Sequence, residues 1–162
     1  MSKTNGKKEV IGKIKNWLEE ESYEFSIVEQ AYADFQADLR HPNMSVVFLR
    51  NKKDSIHFET YVGFTEDDKK IFASAVKKEN KANFISNVQL YLLIMNVEYS
   101  FQPNIENLEK IYVMRNIFFD GLSKDKFIDT IFALVRASSM INILMSSHLG
   151  IRRSNSNGKL TT

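Results

Sequence analysis

The side chains whose types permit acid–base chemistry fall in two stretches of alternating polarity. The stretch "DFQADLR" carries Asp38 and Arg40, and "SIHFETYVGF" carries His57, Glu59 and Tyr61. A carboxylate beside an imidazole can orient the ring and support its protonated form, as general acid–base catalysis requires. If both stretches are strands that approach each other, this cluster could form such a pair. The alternative, which we favour, is a solvated sheet face with cross-strand charge pairs.

Other sources of chemistry have little support. The chain contains no Cys, which excludes disulfides, thiolate metal sites and Cys nucleophiles. It contains no GxxxxGK[ST], GxGxxG, GxSxG or HExxH motif, so phosphate cradles, hydrolase elbows and zincin sites are not indicated. The three histidines, His41, His57 and His148, are far apart in sequence. We therefore expect no catalytic residue, no metal ligand and no cofactor, and we interpret the chain as a non-enzyme.

The composition is that of an ordinary soluble globular protein. The 162 residues are 43% hydrophobic and 26% charged, with a net charge of +2. That charge falls short of a nucleic-acid footprint, and the lysine pairs have acidic residues nearby. The polar, basic start has no apolar run after it, so we expect no secretory signal and a cytoplasmic location. We predict a disordered N-terminus (1–6), one domain (7–150) and a disordered tail (151–162).

Hydrophobic periodicity supplies the elements that must position these residues. A helical stripe covers 7–21, with lysines leading and Glu19, Glu20 and Glu21 trailing, against the helix dipole. Four alternating strands follow, then a helix capped by Thr65, two more strands, and a last helix that is capped by Ser123 and ended by Gly150. The predicted fold is α+β, with about six antiparallel strands in the order α-β-β-β-β-α-β-β-α and helices packed on one face.

The most apolar stretch, "IDTIFALVRASSMINILM" (128–145), has the composition of a membrane span, a core helix or an interface helix. Asp129 and Arg136 lie inside it, and each would be costly near a bilayer centre, so we expect no membrane span. One helical face suits a core, but the opposite side also becomes apolar, and the preceding helix has a similar excess. A helix that is apolar on both sides can simply be buried within its own chain, or its second side can meet a partner. For the second case we hypothesise a partner interface made of Met140, Ile143, Leu144, Ala137, Leu90 and Leu93.

The element order resembles the type III secretion chaperone-like fold, including the bacterial YbjN-type families. Small uncharacterised prokaryotic families with this order also open on a short helix similar to "IGKIKNWLEEE", and they place a turn similar to "DGL" (120–122) before the last helix. The resemblance covers about residues 7–149. It implies a compact domain, often dimeric, that binds other proteins and has no active site.

Together, these patterns indicate a chaperone-like or adaptor module that binds itself as a homodimer, or another protein or peptide. The alternatives are a small enzyme that uses Asp38, His57 and Glu59 on the polar sheet face, or a nucleic-acid-binding domain. A nucleic-acid platform needs exposed aromatic side chains beside basic ones, and acidic residues share this face.

Overall fold

The computed structural model describes residues 3–52, 54–74 and 78–151. Within them lie four α-helices, six strands and one 3-10 turn: α1 (Lys3–Glu20), β1 (Phe25–Ile27), β2 (Ala33–Leu39), β3 (Met44–Leu49), β4 (Ser55–Gly63), α2 (Glu66–Ser74), α3 (Lys78–Ile94), β5 (Glu98–Gln102), β6 (Lys110–Phe118), the 3-10 turn (Phe119–Gly121) and α4 (Lys124–Leu149). The predicted α+β class and six-stranded antiparallel sheet are confirmed. The segment after β4 holds two helices where one was predicted, and residues 75–77, which lie between them, are outside the described residues.

The six strands form one antiparallel sheet in the order β1-β2-β3-β4-β6-β5. The first four strands are sequential neighbours, whereas β6 inserts between β4 and β5. The β4–β6 ladder runs from Ser55 opposite Phe118 to Gly63 opposite Lys110. This long-range pairing joins the N-terminal meander to the C-terminal part of the chain.

One face of the sheet carries the core, as the alternation in "SIHFETYVGF" predicts. Ile56 and Phe58 are 0% exposed and lie beneath α4. The ring of Phe127, at the start of α4, lies 5.2 Å from that of Phe58 and 5.7 Å from that of Trp17 in α1. Since α3 packs along α4, the helices lie on this one face.

An ion-pair cluster joins the end of α1 to the start of α4. Each of its charges interacts unfavourably with the dipole of its own helix. Acidic residues end α1 and Lys124 begins α4, and both placements oppose the helix dipole. Lys124 Nζ lies 2.8 Å from Glu20 Oε2 and 2.7 Å from Glu21 Oε1. These hydrogen bonds and charges raise the pKa of Lys124. Each misplaced charge is therefore neutralised by the other helix.

The ends of the domain differ from the prediction. The first helix begins at Lys3, so residues 3–6, which were expected to be disordered, are helical. Ile151, which was assigned to the tail, is 3% exposed because the chain turns back at Gly150 (φ 69°). The remaining predicted tail, 152–162, lies outside the described residues.

Local hydrogen bonds confirm the predicted helix caps. The Thr65 hydroxyl accepts from the Asp68 N–H at 3.1 Å, and the Asp68 carboxylate accepts from the Thr65 N–H at 2.9 Å. Ser123 Oγ accepts from the Lys126 N–H at 3.2 Å. At the other end of α4, the Gly150 N–H donates to the carbonyls of Met145 and Ser146. These hydrogen bonds satisfy backbone groups that a helix end leaves unpaired, and those between Thr65 and Asp68 are reciprocal.

The 26-residue helix α4 is long and apolar enough to cross a membrane by length and composition, with a mean hydropathy of 1.5 over its most apolar window. Its stripe of Phe127, Ile131, Leu134, Ile141 and Met145 is at most 1% exposed and lies in the core with the sheet. The apolar stripe of α4 therefore forms part of the hydrophobic core of the domain.

The two phenylalanines of α4 provide a matched test of this core. Phe127 is 0% exposed and Phe132 is 53% exposed. We expect Phe127→Ala to lower the free energy of unfolding by about 3–5 kcal/mol, because it removes buried area and leaves a cavity. Phe132→Ala should cost less than about 1 kcal/mol. Urea unfolding at equilibrium measures both, and equal losses would contradict the burial of Phe127.

Candidate functional site

The sheet face away from the helices carries most of the polar residues that the sequence singled out. We call it the open face and define it by alternate residues of five neighbouring strands: Gln36, Asp38, Ser45, Val47, His57, Glu59, Tyr61, Glu98, Tyr112, Met114 and Asn116. Part of the open face is less exposed to solvent than the sequence predicts, since Val47 is 1% exposed and Gln36 is 5% exposed. The His57 side chain retains 16% of its accessible area and that of Glu59 retains 32%. His57 is therefore partly, not freely, accessible.

A chain of four polar side chains crosses the open face. The Asn116 Nδ2 group donates to Glu98 Oε1 at 3.2 Å, which leaves Asn116 Oδ1 to face His57 Nδ1 at 3.1 Å. The other ring nitrogen, Nε2, lies 3.4 Å from Glu59 Oε2. Both ring nitrogens thus meet oxygen acceptors. Only the doubly protonated imidazolium can donate to both, so the geometry favours the charged form.

The surroundings raise the pKa of His57 above its ordinary value. Burial of the ring is the largest single influence and lowers this pKa. The hydrogen bonds to Glu59 and Asn116, together with the negative charges of Glu59 and Glu98, outweigh burial and raise it. The surroundings of His57 therefore favour its protonated form.

The structure brings together only part of the predicted acid–base cluster. Glu59, on the same strand as His57, is its carboxylate neighbour. Asp38 does not pair with the ring because β3 lies between β2 and β4. The Asp38 Oδ1 atom instead accepts from Ser45 Oγ at 2.7 Å and from Gln36 Nε2 at 2.8 Å. Arg40 lies near the sheet edge, 3.5 Å from Glu24. The pairing of Asp38 with His57, which the sequence left open as an alternative to a solvated face, is therefore not formed.

Sequence reasoning missed Asn116 and Glu98. Both belong to the β5–β6 hairpin. Their relation to His57 depends on the long-range β4–β6 register, which places Asn116 opposite His57. A local signal existed, because Arg115 and Asn116 interrupt an otherwise apolar run in "IYVMRNIFF", and Asn116 carries no charge to explain its place there. An amide at such a position needs a partner, but the sequence does not say which strand supplies it.

At one end of the open face, Tyr61 lies against Tyr112 with ring centroids 5.5 Å apart, and Lys110 Nζ is 4.8 Å from the Tyr61 ring centroid. This pair with its cation has the elements of a base-stacking platform. The rest of the face bears Asp38, Glu59 and Glu98, whose charges repel phosphate. Within the described ranges, no group of three or more His, Cys, Asp or Glu residues is arranged to hold a metal ion.

A second surface stands out on the helical side. Leu90, Tyr91, Leu93 and Ile94, which we call the α3 surface, are 53%, 38%, 68% and 70% exposed. They occupy the last turns of α3. Ile143 on α4 is also 59% exposed. Leu90, Leu93 and Ile143, half of the hypothesised interface residues, are therefore accessible.

The other half of that hypothesis needs correction. Ala137 is 0% exposed and Leu144 is 7% exposed, and both belong to the core. Met140 is partly buried and packs against the same core. The reason is that α3 lies along α4, with Asn87 Nδ2 3.0 Å from His148 Nε2. Part of the α4 face that the sequence left without a neighbour is therefore covered within the chain.

The architecture is that of a small α+β domain with a six-stranded antiparallel sheet, a polar open face and helices on the other face. Residues 10–145 match the family described as "Uncharacterized conserved protein (DUF2299)", and the chain belongs to that family.

Two solved structures are similar to this fold. A protein from Methanothermobacter thermautotrophicus, described as uncharacterized, has a TM-score of 0.77 and 25% identity over 86% of this chain and 98% of its own. YbjN from E. coli, described as a putative transcription regulator, has a TM-score of 0.44 and 15% identity over 84% of this chain and 90% of its own. No curated protein matches the chain.

The His57 network predicts a specific pH dependence. Because the folded-state pKa is raised, folding takes up a proton. The stabilising contribution of His57 is complete below its unfolded pKa of about 6.5 and is lost as the pH rises through the folded-state value. In urea unfolding, the stability advantage of the native protein over His57→Gln should therefore be larger at about pH 6 than at about pH 8.5.

Titration by NMR separates the causes. Glu59→Gln keeps an acceptor but removes the charge, so the pKa of His57 should fall. Glu24→Gln, which removes the charge paired with Arg40 at the sheet edge, should leave it unchanged. A folded-state pKa at or below about 6.5 in the native protein would contradict the imidazolium arrangement.

Proposed function

We propose that the protein is a non-enzymatic protein-interaction module that self-associates through the α3 surface. The observation that carries the proposal is the exposure of Leu90, Tyr91, Leu93 and Ile94 within five consecutive positions. Single exposed apolar residues are normal on a protein surface, whereas a contiguous apolar group of this kind is typical of a binding site. Burial of such side chains is the main favourable contribution to association.

The charge pattern supports a second copy as the partner. No Asp, Glu, Lys or Arg occurs between Lys81 and Glu98. The centres of protein interfaces are depleted of charge in the same way. A charge-free surface can meet its own copy without like-charge repulsion, and a two-fold contact is the commonest arrangement in homo-oligomers. Ile143, on the neighbouring helix, can extend the contact.

The open face gives less support to an enzyme. A general base needs a nitrogen that is free to accept a proton from a substrate. Glu59 and Asn116 occupy both nitrogens of His57, and the raised pKa favours the protonated ring. The side chains of this face mainly satisfy one another, which is the behaviour of a structural polar network.

Sedimentation velocity across the micromolar range tests the proposal. We expect the native protein to be a dimer, and we expect Leu93→Asp and Ile94→Asp each to shift it to monomer, because a carboxylate buried at the contact would lack a partner. Both residues are more than two-thirds exposed in the single chain. The monomeric variants should therefore keep the native melting temperature when compared at concentrations where the native protein is also monomeric.

The matched control is Ile27→Asp. Ile27 is 48% exposed and lies on β1, at the sheet edge opposite β5. The Ile27→Asp substitution introduces the same charge at a comparable exposed apolar position away from the α3 surface, so the dimer should persist. A native protein that sediments as a monomer at all these concentrations would refute self-association, and loss of the dimer in all three variants would refute the assigned surface.

A further inference from the structure

Two neighbouring rows of side chains cross the open face at right angles to its strands. In the first row, the strand registers place Met114 of β6 between Glu59 of β4 and Glu98 of β5. In the second row, Tyr112 lies beside Tyr61. Residues two positions apart on a strand point to the same side, so the rows are about 7 Å apart. One carboxylate therefore lies on each side of Met114, and a tyrosine ring lies next to it.

Both carboxylates keep one oxygen for a further donor. Glu59 Oε2 faces His57 Nε2, and Glu98 Oε1 accepts from the amide of Asn116. Within residues 3–52, 54–74 and 78–151, the second oxygen of each carboxylate accepts no hydrogen bond. The Glu59 side chain is 32% exposed and Glu98 is exposed. A ligand that approaches from solvent can therefore contact both carboxylates, whose backbones are about 10 Å apart across β6.

The tyrosine pair beside this position already contacts a cation. Lys110 Nζ lies 4.8 Å from the ring centroid of Tyr61, and the ring centroids of Tyr61 and Tyr112 are 5.5 Å apart. Tyr61 is 43% exposed, and Tyr112 is partly exposed. The face of an aromatic ring attracts positive charge, so a cation placed over Met114 gains a further favourable contact from the ring of Tyr112.

We propose that the open face docks an arginine side chain of another protein, with its guanidinium over Met114 and between the carboxylates of Glu59 and Glu98. A guanidinium is planar, stacks on aromatic rings and presents five N–H donors, whereas the ammonium group of lysine is a compact charge. The guanidinium donates to the two carboxylates through its edges. Its flat side lies against Tyr112 and the polarisable thioether of Met114.

The charge of the open face complements a basic partner. Among the residues that define this face, Asp38, Glu59 and Glu98 are acidic and His57 is the one base. The face is therefore negative even when His57 is protonated, and a basic segment is attracted to it while an acidic one is repelled. The α3 surface lies on the helical side of the sheet, so this docking site is separate from the proposed self-association.

The shape of the site favours a polypeptide over a free guanidino compound. Small-molecule sites are concave and bury most of the ligand. The position over Met114 instead lies on a sheet face, with its two carboxylates on neighbouring strands. An arginine within a polypeptide gains contacts from the residues that flank it, and these contacts offset the cost of association, which a side chain alone cannot do.

The methionine methyl groups give a direct test by NMR on the full chain. Met114 is the reporter on the open face, whereas Met44 and Met145 are 2% and 0% exposed in the core and serve as internal references. Titration with a capped Gly-Arg-Gly peptide should shift the Met114 signal saturably, with a dissociation constant on the order of 1 mM. The matching peptide with citrulline, which has the same shape without the charge, should give no saturable shift. Gly-Lys-Gly should bind about threefold more weakly or worse.

Variants of the two carboxylates test the assigned contacts. Glu59→Gln and Glu98→Gln each remove one charge with little change of shape, so each should weaken binding of Gly-Arg-Gly by about threefold or more. Tyr112→Leu should weaken it as well, because it removes the ring. The control is Glu24→Gln, which removes a carboxylate at the sheet edge beside Arg40 and should leave the affinity unchanged.

Two further measurements separate the possible occupants. Propylguanidine, which is the arginine side chain alone, should bind more weakly than the peptide, and tighter binding would refute a protein partner in favour of a free guanidino compound. The Met114 signal should not change when the protein is diluted without peptide, and a change would place a second copy on this face instead. The proposal is also overturned by no saturable shift with Gly-Arg-Gly, by equal binding of the citrulline or lysine peptide, or by unchanged affinity in both carboxylate variants.

Discussion

The pairing of β4 with β6 is the constraint on which the rest of the structure depends. It brings His57 beside Asn116, which is 59 positions away in the chain, and it creates the continuous sheet that α4 covers. Without it, the first four strands would be a meander with no helix from the C-terminal half to bury Phe58. Closing so long a loop costs conformational entropy before its contacts form, so this pairing must be supported by the burial that it makes available.

The same pairing separates what the sequence could predict from what it could not. Alternation within 55–64 indicated which β4 residues face the core, and Thr65, Ser123 and Gly150 marked helix ends, because these features depend on neighbouring residues. Strand pairing carries no comparable local signal, and the partners of His57 were set by a register that only the folded chain defines. Asp38 and Glu59 are both carboxylates on the open face, but β3 lies between the strand of Asp38 and that of His57.

Helix surfaces were predictable to a similar extent. The periodicity of α4 correctly indicated its core stripe. Its second apolar side could not be interpreted, because burial of Leu144 and Ala137 depends on neighbouring elements in the folded chain. The packing of α3 against α4 covers part of α4, whereas the last turns of α3 remain exposed. The additional apolar side chains of the two helices therefore have different places. Those of α4 lie mostly in the core, and those of α3 form most of the surface on which the proposed self-association depends.

The contact of Lys124 with Glu20 and Glu21 has a consequence for how the fold opens. Each helix alone carries a charge at the wrong end of its dipole, and each obtains the compensating charge from the other. Detachment of α1 would leave Lys124 uncompensated at the first turn of α4, and fraying of that turn would leave the α1 carboxylates uncompensated. The C-terminal end of α1 and the N-terminal end of α4 are therefore coupled electrostatically, and fraying of either end makes the charge at the other end less favourable.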